Sequence, residues 1–213
     1  MDVYVTNARR DPQQAWPHRL AGPGSVAAID LTAPATDAAT VIADHLTADT
    51  TIFAHSYTAV PALLAAGRRP VAALVLVEPA FYDLARDDAS VAQHIDTVTA
   101  ARRHLAGGDI RGYWEVLRPL MFGGPLEAAR WAEEEPAARA FAARTLPWGH
   151  DLPTAVIGRV PTLVITGGWN PEYEAIAERL VGLGAHHRTL PGHDHRAQDH
   201  PDFADMVTAF RGT

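Results

Sequence analysis

Short apolar runs alternate with longer amphipathic stretches along most of this chain. The runs occupy residues 3–6, 26–31, 51–55, 71–77 and 162–166, with a weaker one at 187–190. Runs of this length, bounded by turn-forming residues, read as strands. The segment VAALVLV (71–77) has no polar position, as expected of a strand covered on both faces. Between the runs, apolar residues recur at helical spacing over 38–46, 57–67, 171–182 and 201–210. This alternation predicts an α/β fold: a mostly parallel central sheet flanked by helices.

One stretch breaks the alternation. Residues 82–152 contain no strand pattern, only helical segments separated by Gly107-Gly108 and Gly123-Gly124-Pro125. Val91, Ile95 and Val98 recur at helical spacing, as do Tyr113, Trp114, Leu117 and Leu120. A helical insertion, or cap, within one domain spanning 1–213 is the expected organisation. No repeat or low-complexity linker divides the chain.

Charge and composition narrow the function. With 18 basic against 25 acidic residues the formal net charge is −7, and no basic run exists to meet a phosphate backbone. Nucleic acid is therefore not an expected partner. The absence of cysteine excludes disulfides, thiolate-ligated metals and thiol catalysis. Every basic residue is arginine, so chemistry that passes through a lysine Schiff base is excluded as well. The start, MDVYVTNARR, has no leader-like apolar stretch, and no run has the length of a membrane span. These features predict a cytoplasmic protein with a small-molecule substrate and no membrane partner.

The most informative segment is TIFAHSYTAVPALLAAGRR (51–69). A buried strand runs directly into His55-Ser56-Tyr57 and then a helix. A serine on such a turn is forced into a strained backbone conformation that lifts its hydroxyl above the sheet. Close packing there asks for small residues two positions to either side, which are Ala54 and Thr58. A helix-capping serine would read the same way in isolation.

The order of the neighbouring motifs resembles the α/β-hydrolase family over nearly the whole chain. VYVTNARRDPQQAW (3–16) is similar to that family's first retained strand, oxyanion loop and following tryptophan, with Asn7-Ala8 where His-Gly is usual. SVAAIDL (25–31) resembles the next strand, AHSYT the nucleophile elbow, and VAALVLVEPAF (71–81) the strand after it. VPTLVITGGWNPEYEAIAERL (160–180) and LPGHDHRAQDHPDF (190–203) resemble the late strand with its helix and the histidine loop. The family's first two strands have no counterpart, so the resemblance implies a trimmed α/β-hydrolase fold. It implies a serine hydrolase acting on an ester or thioester, with no cofactor.

The resemblance places the base at His195, since LPGHDH followed by Gln198 fits the family's apolar-Pro-Gly-x-x-His loop; His193 becomes a loop neighbour. The family's usual acid falls on Asn170, an amide that orients an imidazole without stabilising its charged form. Glu78, which ends a buried strand on the same sheet edge as Ser56, is the expected acid. Glu172 and Glu174 are the alternatives, though both also suit the first turn of a helix. The backbone N–H groups of Tyr57 and Arg9 are the expected oxyanion donors. A metal site built on His193, His195, Asp199 and His200 fails on spacing, because the aspartate comes too late. A lyase or cyclase using Ser56 and His195 as acid and base, or an inactive ligand-binding protein, remains the alternative. Tyr113, Trp114, Phe122, Trp131 and Trp148 suit the wall of an apolar pocket, although packing is the commoner role at such spacing.

Overall fold

A computed structural model describes residues 1–212 of the chain. Its strands are β1 (Asp2–Asn7), β2 (Gly24–Ile29), β3 (Thr51–His55), β4 (Ala73–Val77), β5 (Thr162–Thr166) and β6 (His186–Thr189). They form one sheet in the order β2-β1-β3-β4-β5-β6, and every neighbouring pair is parallel. Each strand lies within two residues of an apolar run read from the sequence. The helices are α1 (Pro12–Ala15), α2 (Ala35–Ala43), α3 (Ala59–Arg68), α4 (Ala89–Ala106), α5 (Ile110–Phe122), α6 (Trp131–Ala142), α7 (Pro171–Gly182) and α8 (Phe203–Arg211). Among the described residues no helix is long and apolar enough to cross a membrane.

The chain divides into two compact units, Met1–Ala85 with Leu146–Thr213 and Arg86–Thr145. The first carries the sheet. Its core gathers Tyr4, Trp16, Phe53, Val75, Leu163 and Phe203. Tyr4 stacks on Phe53 with ring centroids 4.4 Å apart, and the Trp16 indole donates to the Val5 carbonyl at 3.1 Å. Each fully buried side chain of this size contributes roughly 1.5–3 kcal/mol. All five residues of β4 are buried, which accounts for the absence of polar positions in that run. A rigid, doubly covered strand is what holds the residue at its carboxyl end in place.

The second unit is helical. Asp88 caps α4 by accepting from the Ser90 and Val91 amides, and Asp109 caps α5 by accepting from the Gly112 amide at 2.8 Å. Trp114, Phe122 and Phe141 form an aromatic cluster with centroids 5.6–5.7 Å apart. Glu134 accepts from the Trp114 indole at 2.7 Å and from Arg118 at 2.8 Å. Arg118 also donates to the carbonyls of Gly123 and Gly124, fixing the turn after α5. Tyr113 and Trp114 are buried. They act in packing.

Candidate active site

Parallel register brings the carboxyl ends of β3, β4 and β5 to one sheet edge. His55 pairs with Val77, Val77 pairs with Ile165, and the Glu78 amide donates to the Ile165 carbonyl at 2.9 Å. Ser56, Glu78 and Gly167 therefore follow three adjacent strands. Among the described residues three non-glycines take positive φ: Ser56 (53°), Glu78 (43°) and Asp194 (45°). Such conformations cost on the order of 1–3 kcal/mol each and cluster where function demands them. Two lie at strand ends and the third immediately precedes His195.

Ser56 opens a short 3₁₀ turn, Ser56–Thr58, that leads into α3. The sequence makes Thr58 look crowded at this turn, and the structure explains its tolerance. Its hydroxyl accepts from the His55 amide at 2.9 Å and donates to the His55 carbonyl at 2.8 Å. Ala54, on the other side of the serine, is fully buried. A larger side chain there has no room.

Glu78 is wholly buried. One carboxylate oxygen accepts from the Gly167 amide at 2.5 Å; the other, Oε2, lies 3.6 Å from His195 Nδ1. Neither Oε2 nor Nδ1 has another hydrogen-bond partner among the described residues. A buried, unshared carboxylate oxygen is costly, and the facing imidazole nitrogen is the group positioned to satisfy it. Gly167 is required here: a Cβ on it would overlap the Asp194 carbonyl. The close approach of the β5 end to the histidine loop is what sets this carboxylate against this ring.

The His195 side chain is about one-third exposed, with Nδ1 turned inward to Glu78. Aromatic rings frame it: Tyr173 at 5.0 Å, Trp169 at 6.2 Å and His55 at 4.7 Å between centroids. His55 braces the loop. Its Nε2 lies 2.7 Å from the His195 carbonyl, while its other ring nitrogen accepts from the Thr58 amide. That pair of bonds fixes the neutral tautomer with the proton on Nε2, which donates to the carbonyl. Burial, then the neighbouring His195, push the His55 imidazole well below its ordinary value.

The end of β5 is built differently. Asn170 caps α7, its Oδ1 accepting from the Glu172 amide at 3.0 Å and its Nδ2 donating to Glu172 Oε1 at 2.7 Å. Glu172 is buried rather than being a solvated first-turn charge. The Tyr82 hydroxyl donates to Tyr173 Oη at 3.5 Å.

The two expected oxyanion donors differ in setting. Tyr57 follows Ser56 in the 3₁₀ turn, where an N–H at the start of the helical segment belongs. The Arg9 amide already donates to Asn7 Oδ1 at 3.0 Å, so it must exchange that partner to meet an oxyanion. The histidine-rich loop does not assemble as a metal site: Arg196 pairs with Asp199 at 2.5 Å, His193 packs on His200 and His195 faces Glu78. Among the described residues no group of three or more His, Asp or Glu side chains could hold a metal ion.

Sequence reasoning did not find His55, Tyr82 or Tyr173. His55 carried one signal, its place beside Ser56, but its partner is 140 positions away. Tyr82 and Tyr173 each read as an ordinary apolar position, and their hydroxyl contacts arise only in the folded chain.

A model of the alpha/beta hydrolase family matches residues 8–204. The chain belongs to the alpha/beta hydrolase family, and its fold is a trimmed form of that fold. Similar solved structures include an alpha/beta hydrolase from Sphaerobacter thermophilus, 24% identical over 99% of this chain and 92% of that one, with a TM-score of 0.63. MenH from S. aureus is 15% identical, covering 100% of this chain and 93% of that one, at a TM-score of 0.62. A hydrolase from Oleispira antarctica, olei00960, is 11% identical over 100% and 90% of the two chains, at 0.63. At these identities the likeness is one of fold. No curated protein matches the chain.

Proposed function

We propose that this protein is a serine hydrolase that cleaves a carboxylic ester or thioester of a small, apolar molecule through an acyl-serine intermediate. Ser56 is the nucleophile, His195 the general base and then acid, and Glu78 the carboxylate that orients His195 and stabilises its imidazolium. The reading rests above all on the facing pair of Glu78 Oε2 and His195 Nδ1, at the edge where Ser56 takes a left-handed conformation. With Nδ1 held by Glu78, the opposite nitrogen is left to take the serine proton. The 3.6 Å separation is longer than a hydrogen bond, and catalytic contacts of this kind tighten when substrate binds. The Tyr57 amide supplies the first oxyanion donor, and the Arg9 amide the second once it leaves Asn7. No step calls for a metal or an organic cofactor.

Ser56→Ala tests this directly. Turnover of p-nitrophenyl esters and labelling by a fluorophosphonate are both expected to disappear while the thermal melt is retained; near-normal activity would remove Ser56 from the mechanism. Full activity after exhaustive chelation is expected alongside. The occupied Arg9 amide favours a second reading: with one oxyanion donor engaged, Ser56 and His195 act as acid and base in a lyase or cyclase, or the scaffold only binds a ligand. Absence of fluorophosphonate labelling in the wild-type protein would favour that reading.

A further inference from the structure

Three rings frame His195, and they differ in what they offer to solvent. Tyr173 is 7% exposed and His55 is half-buried, whereas Trp169 is 45% exposed. The indole meets the imidazole edge to face, with centroids 6.2 Å apart and planes at 71°. Its position is built by the chain that carries it. Gly168 takes a φ of 68°, a turn that a residue with a side chain rarely adopts, between the end of β5 and the indole. A Cβ on Gly167 would stand 2.9 Å from Trp169 Cδ1, so the ring lies back against bare backbone there. Tyr173, in the first turn of α7, supports the indole from the other side of the cap, with centroids 6.2 Å apart. A large apolar ring left nearly half in water forgoes burial worth roughly 25 cal/mol per Å². This one is held in place beside a base whose side chain is itself one-third exposed.

We propose that Trp169 is a specificity-determining residue: its exposed surface receives the leaving group and selects esters or thioesters of a flat aromatic alcohol or thiol. This rests on the acyl-serine reading above. In acylation Ser56 Oγ attacks the carbonyl carbon as its proton passes to His195. The tetrahedral species then collapses: the bond from carbon to the leaving oxygen or sulfur breaks, its electron pair stays on that atom, and the His195 imidazolium protonates it. Of the substituents on the reacting carbon, the leaving group is therefore the one that must touch the imidazole. The carbonyl oxygen turns to the oxyanion donors, and the acyl chain has no proton to collect. Of the rings around the imidazole, Trp169 is the one with open surface to meet that group. A ring already fixed by its neighbours binds a second ring at little cost in ordering. Once the alcohol or thiol departs, water takes its place, and Trp169 has no partner during deacylation.

That asymmetry separates a subsite from a structural role. Benzyl butyrate and ethyl butyrate give the same butyryl-enzyme and differ only in the alcohol. The wild-type protein is expected to show a kcat/KM about 10–10²-fold higher on the benzyl ester, the scale of one aromatic contact with its buried area. Trp169→Ala is expected to remove that preference while leaving ethyl butyrate within about threefold of wild type, and Trp169→Phe to keep part of it. Hydrolysis of the butyryl-enzyme, read as the steady rate after a burst with p-nitrophenyl butyrate, is expected to stay within about threefold. The reverse step gives a second reading. Benzyl alcohol added to the butyryl-enzyme competes with water, and Trp169→Ala is expected to lower its share by the same factor that it removes from kcat/KM on the benzyl ester. No benzyl preference in the wild type, equal loss on both esters in Trp169→Ala, or slower butyryl-enzyme hydrolysis with the preference intact would overturn the proposal. Those results, with Ser56→Ala still silencing both esters, leave the acyl-serine reading standing. Ester turnover that survives Ser56→Ala sinks that reading, and this proposal with it.

Discussion

The carboxyl ends of β4 and β5 lie side by side, and each presents a buried carboxylate, yet it is Glu78 that faces the His195 imidazole. Glu78 spends one oxygen on the Gly167 amide and points the other at His195 Nδ1. Glu172, two positions beyond the usual acid site, has one oxygen held by Asn170 Nδ2, while its amide donates to Asn170 Oδ1. The difference begins in the backbone. Glu78 takes a left-handed turn that directs its side chain along the sheet edge toward the histidine loop. Glu172 sits in a regular helical first turn whose cap folds back on it. A carboxylate can orient a base when an imidazole nitrogen faces its second oxygen, as His195 Nδ1 faces Glu78 Oε2, whereas Glu172 is engaged with its own helix cap.

The comparison is broken most severely by removing the ring that Glu78 faces. His195→Ala is expected to lower kcat by roughly 10⁴–10⁶-fold, the scale of losing the base in a serine hydrolase. His193→Ala is expected to cost less than about tenfold, since its ring packs on His200. Steady-state kinetics of the pair decide it. A reversed order would place the base two residues earlier and leave the Glu78 pair without purpose.

Next in size is the charge of the acid. Glu78→Gln keeps the shape and the acceptor for Gly167 while removing the charge that stabilises an imidazolium. A fall of about 10²–10⁴-fold in kcat is expected, its upper end matching an acid-to-amide change in a protease triad. Glu172→Gln is expected to change kcat less than about fivefold and to act mainly on the melting temperature, because it alters a buried hydrogen-bonded network. Equal effects on kcat from the two substitutions would erase the distinction between the strand ends.

Much of this was legible before folding. The strand runs and the serine turn are local signals: apolar continuity marks a doubly covered strand, and a serine between strand and helix marks an elbow. Glu78 was readable for the same reason, as a carboxylate directly after five buried residues. The setting of Tyr173 was not, because its contacts come from residues 82 and 195, far away in the chain. Nor could sequence foresee that the Arg9 amide is occupied by Asn7 Oδ1, since a two-residue side-chain turn competes silently with any ligand. The fate of Asn170 was half readable. Its failure as an acid follows from its chemistry, but its work as a cap on Glu172 needed the helix start to be placed.

His55 sharpens the comparison from the side of the histidine loop. Its imidazole is held below the ordinary value near 6.5, so the unfolded chain binds its proton first as pH falls. Stability from this group is complete above about 6.5 and is lost as pH drops from there toward the depressed folded value. Chemical denaturation between pH 7.5 and 5 is expected to show this acid-side loss, and His55→Gln to flatten it while retaining a donor for the His195 carbonyl. An unchanged slope in the variant would show that the brace does not titrate with folding.

The smallest expected effect belongs to Asn170, and it separates a cap from an acid. Asn170→Ala removes the acceptor for the Glu172 amide and the donor to its carboxylate. A loss of about 0.5–2 kcal/mol in stability is expected, with kcat nearly unchanged. Asn170→Asp restores the residue type usual for the family's acid, and aspartate caps a helix as well as asparagine. It cannot restore the function in this setting. The new carboxylate would lie where Nδ2 now donates to Glu172 Oε1, placing two anions at hydrogen-bonding distance in a buried pocket. His195 is meanwhile already faced by Glu78. Asn170→Asp is therefore expected to melt earlier than wild type, with no gain in rate. The decisive combination is Asn170→Asp in the Glu78→Gln background: if the acid has moved permanently to β4, the double variant stays as slow as Glu78→Gln alone. Recovery of activity in that double variant would mean that β5 still holds a working position for the acid.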